Sequence, residues 1–463
     1  MKVSFPPLFI ISILLICCNK KGSKELILAT HSSKLILIAD VDIFNGRQNK
    51  ILFNQDVLID NESIVAIADK VERKKDFLII NGAGKTLMPG LIDSHVHLSG
   101  SGAVPWNKVP ANMEYNLTAY LFAGITTVYD LGGLAADISK LSTRVSENNL
   151  IGPSIYNTHI PITVKESHPI PLTEQMLPWP LKSMVNAISP TIDKVEEAPH
   201  LIKKYLEKDI DYVKIVCDQI PPGSPEMPFD QLKSLIDEVH KFNKKVFVHV
   251  GSPENAVNAV KAGADVLAHG IWRGKLSEEQ AEIIAASNVP IIYTLSGFKN
   301  VKEIYQGKFQ PSLLDRHLVD EVVLSSVEGE NGKDVHQQEV MNVFFENVTE
   351  NSTYWKENFN LLHERKVPIL VGTDSNLPGT YAGSTYLQEL RTLKEFGLSN
   401  FEILSGATYL NAKLFINDPD FGSIEVGKKA DLLILHGNPL EDIAWIKDPM
   451  LIMKYGKIIT RIK

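Results

Sequence analysis

From residue 89 onward, short apolar runs alternate with amphipathic stretches of helix length, and this alternation restricts the fold more than any other feature of the sequence. The segments PFDQLKSLIDEVHKFN and SPENAVNAVKAG have apolar residues at helical spacing and residues suited to an N-cap. Repeated strand–helix units build a parallel sheet, and eight of them predict an α/β fold with a closed (β/α)₈ barrel over residues 89–419. The apolar runs lie around residues 91–97, 125–132, 153–160, 211–217, 245–250, 264–270, 290–295 and 367–374.

Both ends of the chain have a different, β-rich pattern. Residues 34–88 contain short runs of alternating apolar residues, separated by the turn segments DNES and NGAGK, and similar runs return at residues 420–463. Because an isolated two-stranded hairpin is only marginally stable, we expect the two ends to pair as one small β-sandwich domain. Separate terminal hairpins are the alternative.

The connection between the seventh and eighth predicted strands, residues 296–366, is too long for an ordinary barrel loop. It contains LLDRHLVDEVVLSSV and DVHQQEVMNVFFENV, and both segments have helical periodicity. Because the connection follows a strand, it starts on the face where barrel active sites lie. We therefore predict a helical insertion, which either covers the site as a lid or adds to the outer helix layer.

The first 18 residues have the pattern of an export signal. One lysine precedes an apolar run that ends in Cys17 and Cys18 and is too short to span a bilayer comfortably, and the polar segment NKKGSKE follows it. This arrangement resembles the lipobox of bacterial lipoproteins. We predict a signal peptide over 1–18, lipidation of Cys18, a tether over 19–33 and a lipid-anchored protein exported to the cell envelope. Lipidation of Cys17, or a cleaved signal with incidental cysteines, is the alternative.

Charge and cysteine content narrow the classes of partner. The net charge is −8, and lysine and arginine are scattered along the chain, whereas a nucleic-acid-binding protein would need a concentrated basic face. Small molecules are therefore the expected partners, and the sequence does not indicate an oligomeric state. Cys217 is the one cysteine outside the signal region, so no disulfide framework is possible and a buried, structural thiol is expected.

Polar residues interrupt the first of the eight apolar runs. In the segment MPGLIDSHVHLSGSG, residues 88–102, Asp93, His95 and His97 follow one another at a spacing of two. On a strand the two histidines project to the same side, about 6.5–7 Å apart, and they can share one divalent metal ion. An H-x-H pair by itself is a weak signal, so its meaning depends on the ends of the other strands.

Four further runs have a residue able to bind metal at or near the carboxyl end, namely Lys214, His249, His269 and Asp374. An isolated charged lysine in a buried strand, as in DYVKIVC, would be unfavourable. Because the carboxyl ends of barrel strands surround the active site, these residues predict one metal centre formed by five of the eight strands.

The chain resembles the amidohydrolase superfamily, and within it the imidazolonepropionase-related and prolidase-like hydrolases. The resemblance covers residues 35–463 and implies a distorted (β/α)₈ barrel with a β-sandwich built from both termini. It also implies a metal-dependent hydrolase that cleaves a C–N bond in an amide, a peptide or a cyclic amide. The motifs that agree are HVH at 95–97, VKI at 213–215, VHV at 248–250, AHG at 268–270 and GTDS at 372–375, with the flanking segments PGLIDSHVH and GSIEVGKKADLLIL.

The resemblance implies a binuclear metal centre. His95, His97 and Asp374 resemble ligands of the more buried ion, and His249 and His269 resemble ligands of the second ion. The expected ions are two Zn²⁺, with Mn²⁺, Co²⁺ or Fe²⁺ as alternatives, because all of them accept imidazole and carboxylate ligands.

Lys214 matches the lysine that reacts with CO₂ in binuclear members and then bridges both ions as a carbamate. The chemistry is reasonable, because a neutral buried amine can add CO₂ and two cations stabilise the anionic product. The alternative is a single metal ion in the site and an ordinary salt bridge for Lys214.

The implied mechanism uses a hydroxide that bridges the two ions, since metal ions lower the pKa of bound water. One ion polarises the scissile carbonyl, while Asp374 accepts the proton of the attacking hydroxide and passes it to the leaving amine. A lactone, carbamate or phosphotriester hydrolase with the same centre is the alternative. A barrel that only binds its ligand is disfavoured, because all six matching positions are intact.

The sequence departs from the dipeptide-cleaving members at two places. Their third-strand loop commonly has Gly-Gly-His, whereas this chain has ESH at 166–168, and their fifth strand commonly has His-x-Tyr, whereas this chain has HVG at 249–251. The tyrosine that helps to hold a substrate carboxylate is therefore missing. We consider His168, Arg273 and Tyr293 as substrate contacts, with Arg273 as a replacement cation. The alternative for Arg273 is a solvated loop arginine, and the alternative for His168 and Tyr293 is a structural role.

Overall fold

The computed structural model describes residues 27–31, 34–176, 185–328, 334–414 and 416–462. The predicted signal peptide, including Cys18, lies outside the described residues, so export and lipidation stay predictions. The predicted tether needs a correction, because its residues 27–31 form a strand that pairs antiparallel with the last strand of the chain. Across the described ranges, no helix has both the length and the apolar character needed to cross a membrane.

The described part of the chain alternates strands and helices. Its strands are β1 (Ile27–His31), β2 (Leu35–Phe44), β3 (Ile51–Asp60), β4 (Ser63–Ala68), β5 (Leu78–Asn81), β6 (Thr86–Pro89), β7 (Leu91–Val96), β8 (Ile125–Asp130), β9 (Ser154–Asn157), β10 (Val213–Val216), β11 (Val246–His249), β12 (Val266–Ala268), β13 (Ile291–Ile292), β14 (Ile369–Leu370), β15 (Leu432–Leu435), β16 (Leu451–Lys454) and β17 (Lys457–Ile462). Its α-helices are α1 (Met113–Phe122), α2 (Ala135–Ser146), α3 (Ile170–Met176), α4 (Val185–Ile188), α5 (Ala198–Tyr205), α6 (Phe229–His240), α7 (Pro253–Ala262), α8 (Glu278–Ser287), α9 (Leu295–Tyr305), α10 (Leu313–Leu318), α11 (Glu321–Val327), α12 (Glu339–Asn351), α13 (Trp355–Glu364), α14 (Ser384–Phe396), α15 (Asn400–Gly406) and α16 (Tyr409–Ala412).

Both ends of the chain join in one nine-stranded sheet. Its order is β1-β17-β16-β15-β6-β2-β3-β4, and β5 pairs with β2. The two ends meet where β15 pairs antiparallel with β6. The alternative of separate terminal hairpins is therefore wrong, whereas a two-layer sandwich over residues 34–88 and 420–463 stays a prediction.

All eight strands expected from the apolar runs are present, and they pair in parallel. β7, β8 and β9 form a three-stranded sheet, and β10 to β14 form a five-stranded sheet in chain order. Two isolated parallel bridges lie at the seams between these sheets, one between Ile162 and Ile215 and the other between Val96 and Ser375. The fold is thus α/β, with helices between successive parallel strands.

Alternation along the strands decides which residues face the interior. Val213 and Ile215 of β10 pack with helix residues in the largest hydrophobic cluster. Phe247 of β11 and Leu370 of β14 belong to a separate cluster formed by the opposite face of the strands. Because Lys214 pairs in register with Phe247, its side chain lies on that inner face.

The insertion between β13 and β14 consists of α9 to α13 and a short 3₁₀ helix at Asp334–Gln337. Its aromatic residues Phe345 and Trp355 share a hydrophobic cluster with Val104 and Trp272, which belong to loops that follow β7 and β12. The indole nitrogen of Trp355 also donates a hydrogen bond to the carbonyl of Trp272 at 2.9 Å. The insertion therefore packs on the loops at the carboxyl ends of the strands, while Phe359 of α13 packs with the outer helices in the largest hydrophobic cluster, and a role as a lid stays a prediction.

A buried ion pair connects the C-terminal strands to the parallel strands. Lys454 Nζ lies 2.5 Å from Asp431 Oδ2, and neither side chain is more than 4% exposed. The same ammonium group donates to Ser154 Oγ of β9 at 2.7 Å and lies 3.8 Å from the ring centroid of Tyr455. Removing the carboxylate would leave a buried charge without its counterion.

We therefore expect Asp431→Ala to lower the free energy of unfolding by about 3–5 kcal/mol, measured by chemical denaturation. The exposed pair between Lys429 and Asp420, 2.9 Å apart, provides the matched control. Asp420→Ala should change the free energy of unfolding by less than about 1 kcal/mol, because water screens that pair. Equal losses in the two variants would contradict a special role for the buried pair.

Candidate metal centre

Three predicted ligands meet where β7 and β14 end. His95 Nε2 lies 3.1 Å and His97 Nε2 lies 3.0 Å from the same oxygen, Asp374 Oδ1. One ligand atom from each of the three residues lies within 4.8 Å of the other two. Two imidazoles and a carboxylate at such distances can hold one divalent cation.

The chemistry of these atoms favours a cation between them. Both ring nitrogens of His95 and the Asp374 Oδ1 atom are buried and make no hydrogen bond with proper geometry. Buried polar atoms without a partner are unfavourable and rare in folded proteins. Burial also lowers the pKa of His95 to about 3, so its imidazole is in the neutral form that binds metal.

A second group of predicted ligands lies beside the first. The ring centroid of His269 is 4.3 Å from that of His249 and 4.6 Å from that of His95. Lys214 Nζ is buried and has no hydrogen-bond partner. Burial lowers the pKa of Lys214 to about 7, so a substantial fraction of this amine is neutral near neutral pH. The structure thus places Lys214 close enough to the other five predicted ligands for electrostatic interaction with each of them.

Unusual backbone conformations aim two of these ligands. Ala268 of β12 belongs to the inner cluster, so simple alternation would place His269 on the opposite face. His269 instead has φ of 80°, and Asp374 at the end of β14 has φ of 58°. Thr294 also has a positive φ, 51°, and its Oγ1 lies 2.8 Å from His269 Nδ1. Left-handed conformations are uncommon for residues other than glycine, and such strain clusters at functional sites.

Asp93 connects the two segments that carry the first group of ligands, and the sequence did not predict this role. It is fully buried, and it accepts hydrogen bonds from the backbone nitrogen of Thr373 at 3.0 Å and from Thr373 Oγ1 at 2.6 Å. Burial raises the pKa of Asp93 to about 8. The contact ties β7 to the segment after β14, beside the backbone hydrogen bond from Asp374 to the carbonyl of His95 at 2.8 Å.

Asp218 is a second residue that the sequence did not reveal. This fully buried carboxylate has its Oδ2 atom 3.3 Å from His249 Nε2 and its Oδ1 atom 2.6 Å from Arg273 Nη2. Burial would raise the pKa of Asp218, but the hydrogen bond and electrostatic interaction with His249 and the charge of Arg273 outweigh it and bring the pKa to about 2. The segment CDQ at 217–219 has no motif or spacing that would have identified it.

Two of the three residues considered as substrate contacts lie near the centre. The ring centroid of His168 is 4.8 Å from that of His249, and its Nδ1 atom is buried without a partner. Arg273 Nη2 is shared between Asp218 and Glu226, the latter at 3.0 Å. Arg273 is therefore neither a solvated loop residue nor a cation free of counter-charge.

Tyr293 is placed differently from the prediction. Its ring packs against Phe359 of α13, with 4.9 Å between the ring centroids, and it belongs to the cluster of outward-facing strand and helix residues. Its ring also covers Gly270, where an added Cβ would lie 2.3 Å from Tyr293 Cδ1. The contacts of Tyr293 thus lie in the layer between strands and helices, and this corrects the expectation of a residue facing the pocket.

Aromatic side chains of the insertion and the loops close over the second group. Phe298 of α9 lies 5.6 Å from the His269 ring and stacks on Trp272 at 5.2 Å, measured between ring centroids. His97, with a side chain that is 24% exposed, is open to solvent, whereas the side chain of His95 is 1% exposed. The second group therefore has an apolar neighbourhood, and the centre is accessible to solvent at His97.

Comparison with known proteins finds similar sequences and similar folds over most of the chain. Residues 86–459 match the family model described as the Amidohydrolase family. An ochratoxinase from Aspergillus niger is 22% identical over an alignment of 472 positions, gaps included, which covers 94% of this chain and 88% of that protein. The crystal structure of a Xaa-Pro dipeptidase with bound methionine superimposes with a TM-score of 0.74 at 20% identity, over 92% of this chain and 99% of that one. A prolidase complexed with N-methylphosphonate-L-proline gives a TM-score of 0.73 at 22% identity, over 92% and 100%.

Proposed function

Since this chain belongs to the amidohydrolase family, we propose that it holds two divalent metal ions and hydrolyses an amide-type C–N bond in a small molecule. The observation that supports this most strongly is the meeting of six donor residues at the carboxyl ends of five parallel strands. Several of their buried atoms, on His95, Lys214 and Asp374, lack a partner that a cation or its ligand would supply.

We also propose that β7 to β14 form one closed (β/α)₈ barrel. The parallel bridge between Ile162 and Ile215 joins the end of the three-stranded sheet to β10. The bridge between Val96 and Ser375 joins β7 to the segment after β14. These two contacts support a ring in which the six donors converge instead of lying along an open edge.

The donor set divides between two ions. His95, His97 and Asp374 would hold the more buried ion, and His249 and His269 would hold the second. Imidazole and carboxylate suit Zn²⁺, Mn²⁺, Co²⁺ or Fe²⁺. When bound, such ions lower the pKa of water and polarise the carbonyl that is to be cleaved.

Lys214 would supply the anion between the two ions. Its amine is buried on the inner face, and its lowered pKa makes the neutral, nucleophilic form available. Addition of CO₂ to that amine, with loss of one proton, gives a carbamate with two oxygens. Burial disfavours the charged ammonium form of Lys214. The neutral amine that remains is the form that can add CO₂.

Asp374 would move the proton. Burial would raise the pKa of Asp374, but its electrostatic interactions with His95 and His269 and its close contacts with the rings of His95 and His97 hold that pKa well below its usual value, so the group is ionised. An ionised carboxylate beside the attacking water can accept its proton and return it to the leaving nitrogen. The exposed side of His97 would form part of the route by which substrate approaches.

The substrate class follows from the surroundings of the centre. Trp272 and Phe298 lie beside the second group of ligands, so an apolar or aromatic substituent would be accommodated there. One of the similar structures is named a Xaa-Pro dipeptidase, an enzyme that acts on a dipeptide. We propose an N-acyl amino acid or a similar secondary amide with an apolar substituent.

Removal of metal provides the first test. We expect the protein treated with a strong chelator and then freed of it to lose amide hydrolysis, and we expect Zn²⁺, Mn²⁺ or Co²⁺ with bicarbonate to restore it. The measurement is product release from a panel of N-acyl amino acids, dipeptides and cyclic amides, with lactones, carbamates and phosphotriesters included. Undiminished amide hydrolysis by the metal-free protein would contradict the proposal. Preferential hydrolysis of an ester or a phosphotriester would show that the enzyme cleaves a different type of bond.

A further inference from the structure

Asp218 contacts one predicted ligand of the second metal ion directly. Its Oδ2 atom lies 3.3 Å from His249 Nε2, so the carboxylate can accept a hydrogen bond from an Nε2–H group. A neutral imidazole that donates through Nε2 has its lone pair on Nδ1. The contact therefore selects which nitrogen of His249 is available to a metal ion.

The position of Asp218 is fixed from its other side. Arg273 Nη2 donates to Asp218 Oδ1 at 2.6 Å, and the backbone nitrogen of Gln219 donates to the same oxygen at 2.8 Å. The backbone nitrogen of Arg273 donates to the carbonyl of Gly251 at 2.9 Å, which ties the loop after β12 to the residue that follows Val250. Both carboxylate oxygens thus have partners, and the group has little freedom to turn away from His249.

Gly251 provides the space that the carboxylate occupies. A Cβ atom added at this position would lie 1.9 Å from Asp218 Oδ2 and 2.4 Å from Asp218 Cγ. Any other residue at 251 would therefore have to displace the carboxylate that contacts His249. The carboxylate of Asp218 can therefore hold this position only because residue 251 is a glycine.

We propose that Asp218 is a positioning residue for the second metal ion: it accepts the Nε2–H of His249, fixes that tautomer, and directs Nδ1 towards the ion. The inference rests on the binuclear centre proposed above. A hydrogen-bonded carboxylate behind a ligating histidine orients the ring and raises its basicity, and loss of such a partner typically weakens metal binding about 10–100-fold.

Asp218→Asn tests the role with little change in shape. The asparagine side chain has one carbonyl oxygen, which can accept from His249 or from Arg273 but not from both. In a titration of the metal-free protein with Co²⁺, we expect the second Co²⁺ to bind at least about tenfold more weakly than in the parent, with an altered visible absorption. The first Co²⁺ should bind with unchanged affinity, and thermal unfolding of the metal-free variant provides the check on folding.

Two further variants separate positioning from a general disturbance. Gly251→Ala should weaken the binding of the second Co²⁺ in the same way, because the Cβ of the alanine would occupy the space of Asp218 Oδ2. Glu226→Gln is the matched control: Glu226 Oε1 contacts Arg273 at 3.0 Å, and its side chain is 41% exposed. The control should leave both Co²⁺ affinities and the spectrum unchanged.

The outcomes are distinguishable. Two Co²⁺ ions in the parent and a selective loss of the second in Asp218→Asn and Gly251→Ala would support the inference. Two ions in the parent with equal affinities and spectra in Asp218→Asn would overturn it and leave the binuclear centre intact. A parent that binds fewer than two Co²⁺ ions would refute the binuclear centre itself, and the inference with it.

Discussion

Asp374→Asn should lower kcat about 10²–10⁴-fold while the protein remains folded and largely retains its metal. Asparagine keeps an oxygen in the place of Asp374 Oδ1, which lies 3.0–3.1 Å from His95 and His97, but an amide cannot accept the proton of the attacking water. The loss should therefore appear in turnover and not in metal content, and both are measured on the same sample.

Asp265→Asn is the control for this experiment. Asp265 immediately precedes β12, at the opposite end of the strand from His269, and it contacts Lys245 and His240 at 2.7 and 2.8 Å. Its substitution should leave kcat unchanged, because it lies at the amino end of the parallel strands. Turnover like that of the parent in Asp374→Asn would refute the role of Asp374 in proton transfer.

Lys214→Met should reduce the number of metal ions bound per protein chain, and this is the second of the two largest expected effects. Methionine fills the buried space on the inner face of β10 but cannot add CO₂, so no anion would lie between the ions. We expect the metal content, measured by elemental analysis, to fall from about two equivalents to about one, with loss of most of the turnover. Addition of a small carboxylate such as formate or acetate should restore part of both, because it supplies two oxygens in the same place.

Lys245→Met is the matched control for this substitution. Lys245 is next to the first residue of the neighbouring strand β11, its side chain is 44% exposed, and it pairs with Asp265 at 2.7 Å. The control should retain about two equivalents of metal. One equivalent in the parent, unchanged in Lys214→Met, would exclude the carbamate bridge and favour a mononuclear site, and the substrate search would then begin with cyclic amidines and imidazolone-like rings.

The strands and the ligands could be predicted because their signals are local. A buried parallel strand needs a short apolar run, and all eight runs became strands within a few residues of the expected bounds. A polar residue at the end of such a run has few structural reasons to be there. His95, His97, His249 and Asp374 were therefore visible in the sequence, and parallel pairing then placed the ends of their strands side by side.

Other parts of the site depend on distant segments. The contact between the insertion and loops such as that of Trp272 depends on aromatic packing, which helical periodicity in the sequence could not reveal. Tyr293 was assigned to the pocket by its place in the strand, but packing against Phe359 and Gly270 keeps it in the outer layer. His269 points towards the centre because its own backbone has a positive φ, and the sequence around it does not predict this conformation.

The sequence predicted the eight parallel strands and the six donors, because hydrophobic periodicity and a polar residue near the end of a strand are local signals. It favoured pairing of the two ends but left separate hairpins open, and the tertiary packing resolved that alternative and supplied the surroundings of the donors. Asp218 illustrates the reason: its role depends on Arg273, 55 residues away, and on space left by Gly251, so it exists only when three strand ends are brought together.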